Sequence, residues 1–153
     1  MVRVNYKKIA VGGTFDKFHE GHKKLLETAF SLGEKVEIGV TSDAFGGLKG
    51  DIDPCQKRMY NLKSFISNQD TKFNLMRLED PYGTTILEED FEAIVVSEET
   101  EPTAIEINKI RKNKSMRPLD IIVVSFVLAD DGTPISSTRI RNGEIDKKGQ
   151  LLD

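Results

Sequence analysis

Short apolar runs that read as strands alternate with longer amphipathic stretches along the whole chain, and this alternation restricts the fold more than any other feature of the sequence. Residues 8–11 form an apolar run that ends in Gly12-Gly13. Residues 22–32 set Leu25, Leu26, Phe30 and Leu32 among lysines at helical spacing, with Gly33 as a stop. Runs at 36–40, 73–78, 93–97 and 120–128 read as further strands. Pro54 fits the first turn of a helix that continues through Tyr60, Leu62 and Phe65, and residues 102–112 carry Ile105, Ile107 and Ile110 on another. Gly46, Gly47 and Gly50 mark a loop; Asp80-Pro81-Tyr82-Gly83 and Asp131-Gly132 mark turns. Ser136-Ser137 opens a last short helix that ends near Gly143. Strand–helix alternation predicts parallel βαβ units, hence an α/β protein with a doubly wound five-stranded parallel sheet and helices on both faces. With 153 residues and no repeat or linker, residues 1–153 read as one domain.

In such a sheet the ligand crevice lies beyond the carboxyl ends of the strands, so residues that directly follow strands carry the functional information. After the first strand come Gly12, Gly13, Thr14, Phe15, Asp16, Lys17, Phe18, His19, Glu20, Gly21 and His22. The glycines permit a sharp turn and a close backbone approach to a ligand. Thr14 adds a hydroxyl beside backbone N–H groups. His19 and His22, the only histidines, stand three apart at a helix start, on one face and near the positive end of its dipole. That is a setting for phosphate oxygens, to which imidazole N–H groups donate without a permanent charge. Two histidines beside a turn are more often surface or capping groups, but the Gly-Gly, Thr and helix-start context favours the anion reading. The spacing is not that of a zinc helix, and no G-x-G-x-x-G or Gly-Lys-Ser/Thr loop is present.

After the fifth strand come Ile135, Ser136, Ser137, Thr138, Arg139, Ile140 and Arg141. Taken alone, the hydroxyls fit a helix cap and a phosphate site equally well. Arg141 lies one turn beyond Thr138 and extends a fork of donors along the same face. Two such helix starts, each behind a strand, can converge on one crevice, and together they point to a nucleoside triphosphate held between them.

Composition narrows the classes that remain. A net charge of −3 argues against a protein built mainly to grip nucleic acid. The longest apolar stretch, 121–129, is too short to span a bilayer, and no signal-peptide pattern opens the chain, which reads as a cytoplasmic protein outside the membrane. Cys55 is the single cysteine and suits a reducing compartment; it carries no sign of activation and reads as inert. Lys109, Arg111, Lys112, Lys114 and Arg117 crowd the end of one helix and read as cations placed against its dipole.

The tetrad His19-Glu20-Gly21-His22 behind Gly-Gly-Thr-Phe-Asp, with Ile135-Ser136-Ser137-Thr138-Arg139-Ile140-Arg141 late in the chain, resembles the nucleotidyltransferase superfamily, which carries an HxGH motif early and an ISSTxxR motif late. The resemblance runs from Lys8 to about Gly143 and implies a Rossmann-like nucleotidyltransferase fold. Segments 11–16, 40–43 and 95–100 look most like the archaeal, eukaryote-like phosphopantetheine adenylyltransferases. That family joins ATP and 4′-phosphopantetheine to give dephospho-CoA and pyrophosphate, a step of coenzyme A biosynthesis. The resemblance implies catalytic roles for His22, His19 and Lys49, with His22 on the reacting α-phosphate and Lys49 on the acceptor phosphate. Gly13, Thr14 and Phe15 would lie under the nucleotide, with Thr14 bridging to the acceptor. Ser136, Ser137, Thr138 and Arg141 would grip the β- and γ-phosphates, and Ser97, Glu98, Glu99 and Thr100 would line the adenine and ribose side. Bacterial relatives have an arginine-rich turn where this chain has Ser97-Glu98-Glu99-Thr100, and the archaeal-type pattern shares the difference.

No serine or cysteine is visibly paired with an activating base, so the expectation is in-line transfer without a covalent enzyme intermediate. Magnesium is expected to be bound through the ATP phosphates, with Asp16 as either a neighbour of the ion or a turn former. Two other readings stay open at this stage. One is a nucleotidyltransferase of the same superfamily with another acceptor: NMN, FMN or a small alcohol phosphate. The other is a nucleotide-binding module without turnover. The oligomeric state is not legible.

Overall fold

The computed structural model describes residues 6–46 and 52–152. Five strands, β1 (Ile9–Gly13), β2 (Lys35–Thr41), β3 (Lys72–Leu78), β4 (Ala93–Ser97) and β5 (Asp120–Val124), form one sheet in the order β3-β2-β1-β4-β5. Every pairing is parallel. The helices are α1 (Glu20–Leu32), α2 (Asp43–Gly46), α3 (Cys55–Ile66), α4 (Glu101–Asn113) and α5 (Ser137–Arg141), with a 3-10 turn at Gly83–Ile86. β1 is therefore central. The chain winds outward through β2 and β3, returns to the far side of β1, and winds outward again through β4 and β5. The strand order reverses between β1 and β4, and a crevice opens at such a point.

Burial follows from side-chain alternation along the strands. Ile9, Val11, Val36, Ile38 and Val95 pack with Leu25, Leu26 and Phe30 of α1 and Leu62 and Ile66 of α3. The intervening Ala10, Ile94 and Val96 meet Ala104 and Ile107 of α4. Both faces of β1 and β4 are thus covered, which is why those strands read as continuous apolar runs. Leu26 is fully buried; truncating a side chain of this kind to alanine costs about 2–5 kcal/mol.

Of three expectations, two change. The apolar run at 120–128 is not one strand: β5 ends at Val124, and Leu128 pairs antiparallel with Pro134 across the Asp131-Gly132 turn. Val127, Ala129 and Ile135 instead belong to a small separate cluster with Ile140 and Ile145. Second, Gly33 ends α1 as expected, in extended backbone with its N–H donating to the Ala29 carbonyl; a left-handed glycine, Gly143 at φ +76°, follows α5. Third, Arg111 is not a surface cation. It is fully buried, and its guanidinium donates to the carbonyls of Thr85 and Glu88, with Arg117 O at 2.8 Å from Nε. It ties the end of α4 to the segment that leads into β4.

Candidate active site

The loop behind β1 holds an unusual backbone. Phe15 and Lys17 both adopt positive φ, +53° and +52°, a conformation that non-glycine residues take only where their surroundings impose it. The Phe15 ring is anchored in the core against His22, with ring centroids 5.3 Å apart. The loop is also held by its neighbours. The Thr14 carbonyl accepts from Arg58 Nη1 at 2.8 Å, and the Asp16 carbonyl accepts from the Ser137 hydroxyl at 2.6 Å. The buried Asp16 carboxylate accepts the Asp53 N–H at 2.9 Å on one oxygen and Arg141 Nη1 at 2.7 Å on the other. Asp16 is thus more than a turn former: each carboxylate oxygen takes a hydrogen bond, and the residue joins the first loop to the last helix.

α1 starts at Glu20, with His19 as its N-cap. His19 Nδ1 accepts the Gly21 N–H at 3.0 Å, and His22 Nδ1 accepts the His19 N–H at 3.2 Å. This is a reciprocal capping box in which two imidazoles replace the usual hydroxyl and carboxylate. Gly21 is required because a Cβ there would lie 2.8 Å from the His19 ring. The rings stack with centroids 3.7 Å apart. Burial pushes His19 down to about 4 and His22 well below the ordinary 6.5, His19 adding to the effect on His22. Both rings are therefore neutral near pH 7. Since each Nδ1 accepts, each proton sits on Nε2, and the pair offers two uncharged N–H donors of fixed tautomer.

Opposite lies the start of α5. Ser136 caps it, accepting the Arg139 N–H at 3.2 Å. Arg141 Nη2 donates to the Thr138 hydroxyl at 3.0 Å. The two arginines of this segment differ in task. Arg139 braces the 128–134 hairpin through Asp131 and also pairs with Glu144 behind α5, whereas Arg141 is oriented by Asp16. Behind β4, Ser97 N–H donates to the Thr100 hydroxyl at 3.1 Å, closing a small turn at the head of α4. One cavity of about 640 Å³, within the usual range of small-molecule sites, is lined by the β1 loop, the two histidines, this turn and the α5 start.

The cytidylyltransferase-like family model matches residues 10–143. The phosphopantetheine adenylyltransferase of Methanothermobacter thermautotrophicus is 59% identical over 148 residues, covering 96% of this chain and 90% of that protein. That of Methanosarcina barkeri is 48% identical, covering 94% and 92%. The chain belongs to the phosphopantetheine adenylyltransferase family. A solved Archaeoglobus fulgidus structure, described as a protein with unknown function, superposes with a TM-score of 0.71 at 35% identity, covering 78% of this chain and 98% of that one.

Of the residues that resemblance to this family singles out, Gly13, Thr14, Phe15, His19, His22, Ser97, Glu99, Thr100, Ser136, Ser137, Thr138 and Arg141 all line the one cavity. Glu98 is exposed and is not among the lining residues. Lys49 lies outside the described residues. The sequence reading missed Arg58 and the apolar wall of Phe45, Ile52, Leu78 and Pro81 on one side of the family motifs, and Phe126 and Val127 on the other. Arg58 had a signal: it falls on the buried stripe Cys55, Leu62, Ile66 of α3, where a charged residue needs a reason.

Proposed function

We infer that the protein transfers the adenylyl group of ATP to 4′-phosphopantetheine, forming 3′-dephospho-CoA and pyrophosphate in coenzyme A biosynthesis. The observation that carries this reading is the convergence of two helix starts on one cavity: the neutral imidazole pair at the head of α1 and the Thr138–Arg141 fork of α5 both line it, and Asp16 ties the β1 loop to α5 through Arg141 and Ser137. The family relationship supplies the acceptor.

An acceptor phosphate oxygen is already a nucleophile at neutral pH. It attacks the α-phosphorus of ATP, the bond from that phosphorus to the bridging oxygen breaks, and the electron pair leaves with pyrophosphate. The protein has to align the partners and meet charge where it develops. Alignment contributes up to ~7–11 kcal/mol in well-oriented reactions. The His22 Nε2–H donates to the α-phosphate, and one such donor is worth roughly 2.7–4 kcal/mol in the transition state. A neutral imidazole suits this role, because it keeps its proton and does not bind the ground-state triphosphate as a salt bridge would. Arg141 and Thr138 hold the β- and γ-phosphates, Thr14 stands between nucleotide and acceptor, and Lys49 holds the acceptor phosphate. Magnesium arrives with the nucleotide as MgATP. The reaction takes place in the cytoplasm, and no helix among the described residues is long and apolar enough to cross a membrane.

The test is pyrophosphate release by the purified protein with ATP or CTP against a panel of 4′-phosphopantetheine, NMN, FMN and glycerol phosphate. Turnover is expected with ATP and 4′-phosphopantetheine. Turnover only with another acceptor, or tight ATP binding with no product from any, overturns the reading.

A further inference from the structure

Arg58 is 1% exposed, on a helix face otherwise given to core packing. Removing a guanidinium from water is costly unless its donors are met, and here they are met by four acceptors, two of which, Thr14 and Thr41, line the cavity. Nε donates to the Asp53 carbonyl at 2.7 Å; Nη1 donates to the Thr14 carbonyl at 2.8 Å and the Thr41 hydroxyl at 3.2 Å; Nη2 reaches the Asp43 carboxylate at 3.4 Å. These four acceptors come from the loop behind β1, the end of β2, the start of α2 and the approach to α3. One planar group thus ties together segments that the sheet alone leaves independent. Lysine, a point donor with three N–H groups, does not span such a set.

The bond to Thr14 reaches furthest. In a trans peptide the C=O and the next N–H point in opposite directions. Holding the Thr14 carbonyl against Arg58 therefore turns the Phe15 N–H away from the guanidinium, and that N–H has no hydrogen bond to another described residue. It also fixes the peptide that leads into the strained φ of Phe15. The nucleotide half of the cavity has its own brace in the Asp16–Arg141 pair, which Arg58 meets through Asp53, whose N–H donates to Asp16 and whose carbonyl accepts from Arg58. Among the described residues, Arg58 makes no hydrogen bond to Arg141 or to α5.

We propose that Arg58 is a positioning residue for the acceptor substrate: by clamping the Thr14 peptide to the end of β2 it sets the wall against which a phosphate-bearing acceptor docks. This rests on the adenylyl-transfer reading above. Loss of Arg58 is therefore expected to fall more heavily on the acceptor than on the nucleotide.

The experiment measures KM for ATP and for 4′-phosphopantetheine, kcat and thermal melting in Arg58→Lys, Arg58→Ala and Thr41→Val, with the unaltered protein assayed first. An unaltered protein without turnover on 4′-phosphopantetheine counts against the function, and the KM comparison is then made with whichever acceptor of the panel is used. In folded Arg58→Ala the acceptor KM is expected to rise at least about tenfold, equivalent to about 1.4 kcal/mol, while the ATP KM stays within about twofold. Millimolar guanidinium is expected to restore the acceptor KM in Arg58→Ala, and Arg58→Lys to recover only part of it. Equal changes in both KM values, or no change in either, overturn the proposal, since a purely structural role moves both together. Should the Arg58 variants not fold, Thr41→Val decides: it removes one bond at nearly constant shape, and an unchanged acceptor KM there overturns the proposal, whereas a selective rise upholds it.

Discussion

Replacing Asp16 by asparagine tests the joint on which the site depends. The Asp16 side chain is 2% exposed and that of Arg141 18% exposed, with 2.7 Å between the paired atoms. One carboxylate oxygen meets Arg141 and the other the Asp53 N–H. An amide keeps a single acceptor oxygen, so in Asp16→Asn one of the two donors faces an NH2 group instead. Breaking a buried pair from one side costs about 3–5 kcal/mol. Arg141 retains some access to water, which places the expected loss near the lower figure, about 3 kcal/mol. For a chain of this length each kcal/mol lowers Tm by about 2–4 °C, so Asp16→Asn is expected to melt about 6–12 °C below the unaltered protein. The released guanidinium no longer presents its second edge in a fixed direction, so the KM for ATP rises while that for the acceptor moves less. Calorimetric melting and two-substrate kinetics read these effects. A Tm change of less than about 2 °C together with an unaltered ATP KM would refute the reasoning, because the carboxylate would then hold nothing that matters.

Three further outcomes are expected. His22→Ala lowers kcat by about 10²–10³, the factor for one transition-state donor, with native circular dichroism; near-normal turnover removes His22 from the chemistry. His19 has its pKa lowered from 6.5 to about 4 in the folded protein, so below pH 6.5 the unfolded chain binds a proton that the folded one does not. Stability is complete above 6.5 and falls as pH drops toward 4, by about 3 kcal/mol from this group. His19→Asn keeps a capping acceptor without the titration, and urea unfolding across that interval should show a shallower loss; parallel curves refute the assignment. Arg111→Met leaves several buried carbonyls without their donor, at about 1–3 kcal/mol each. It should lower the urea midpoint without changing either KM by more than about twofold, and an unchanged midpoint would contradict the role given to Arg111.

The architecture was legible where a strand is buried on both faces. β4 (Ala93–Ser97) shows as an apolar run bounded by charge, and its limits match the expectation. β5 was overrun because Phe126, Val127 and Leu128 continue the apolar pattern while serving a hairpin; hydropathy does not distinguish the two uses. The motif residues were legible because their types are improbable in combination: two histidines around a glycine directly after a Gly-Gly turn. What joins them was not. Asp16 and Arg141 are 125 positions apart, and no local pattern reports a contact over that span. Arg58 and Arg111 were hidden for another reason. Periodicity counts apolar residues, so a buried arginine registers as an interruption of a helix face or a surface charge.

The Asp16–Arg141 and Asp16–Ser137 bonds link the first tenth of the chain to the last. A polypeptide still growing on the ribosome can pair β1 with β2 and then with β4, yet it lacks the proposed triphosphate clamp until the segment beyond the 128–134 hairpin has emerged and folded back. A fragment cut after β4 retains most of the sheet and both histidines and lacks the clamp altogether. On the proposed function, a product truncated after β4 is expected to be inactive, because it lacks the α5 residues assigned to the triphosphate.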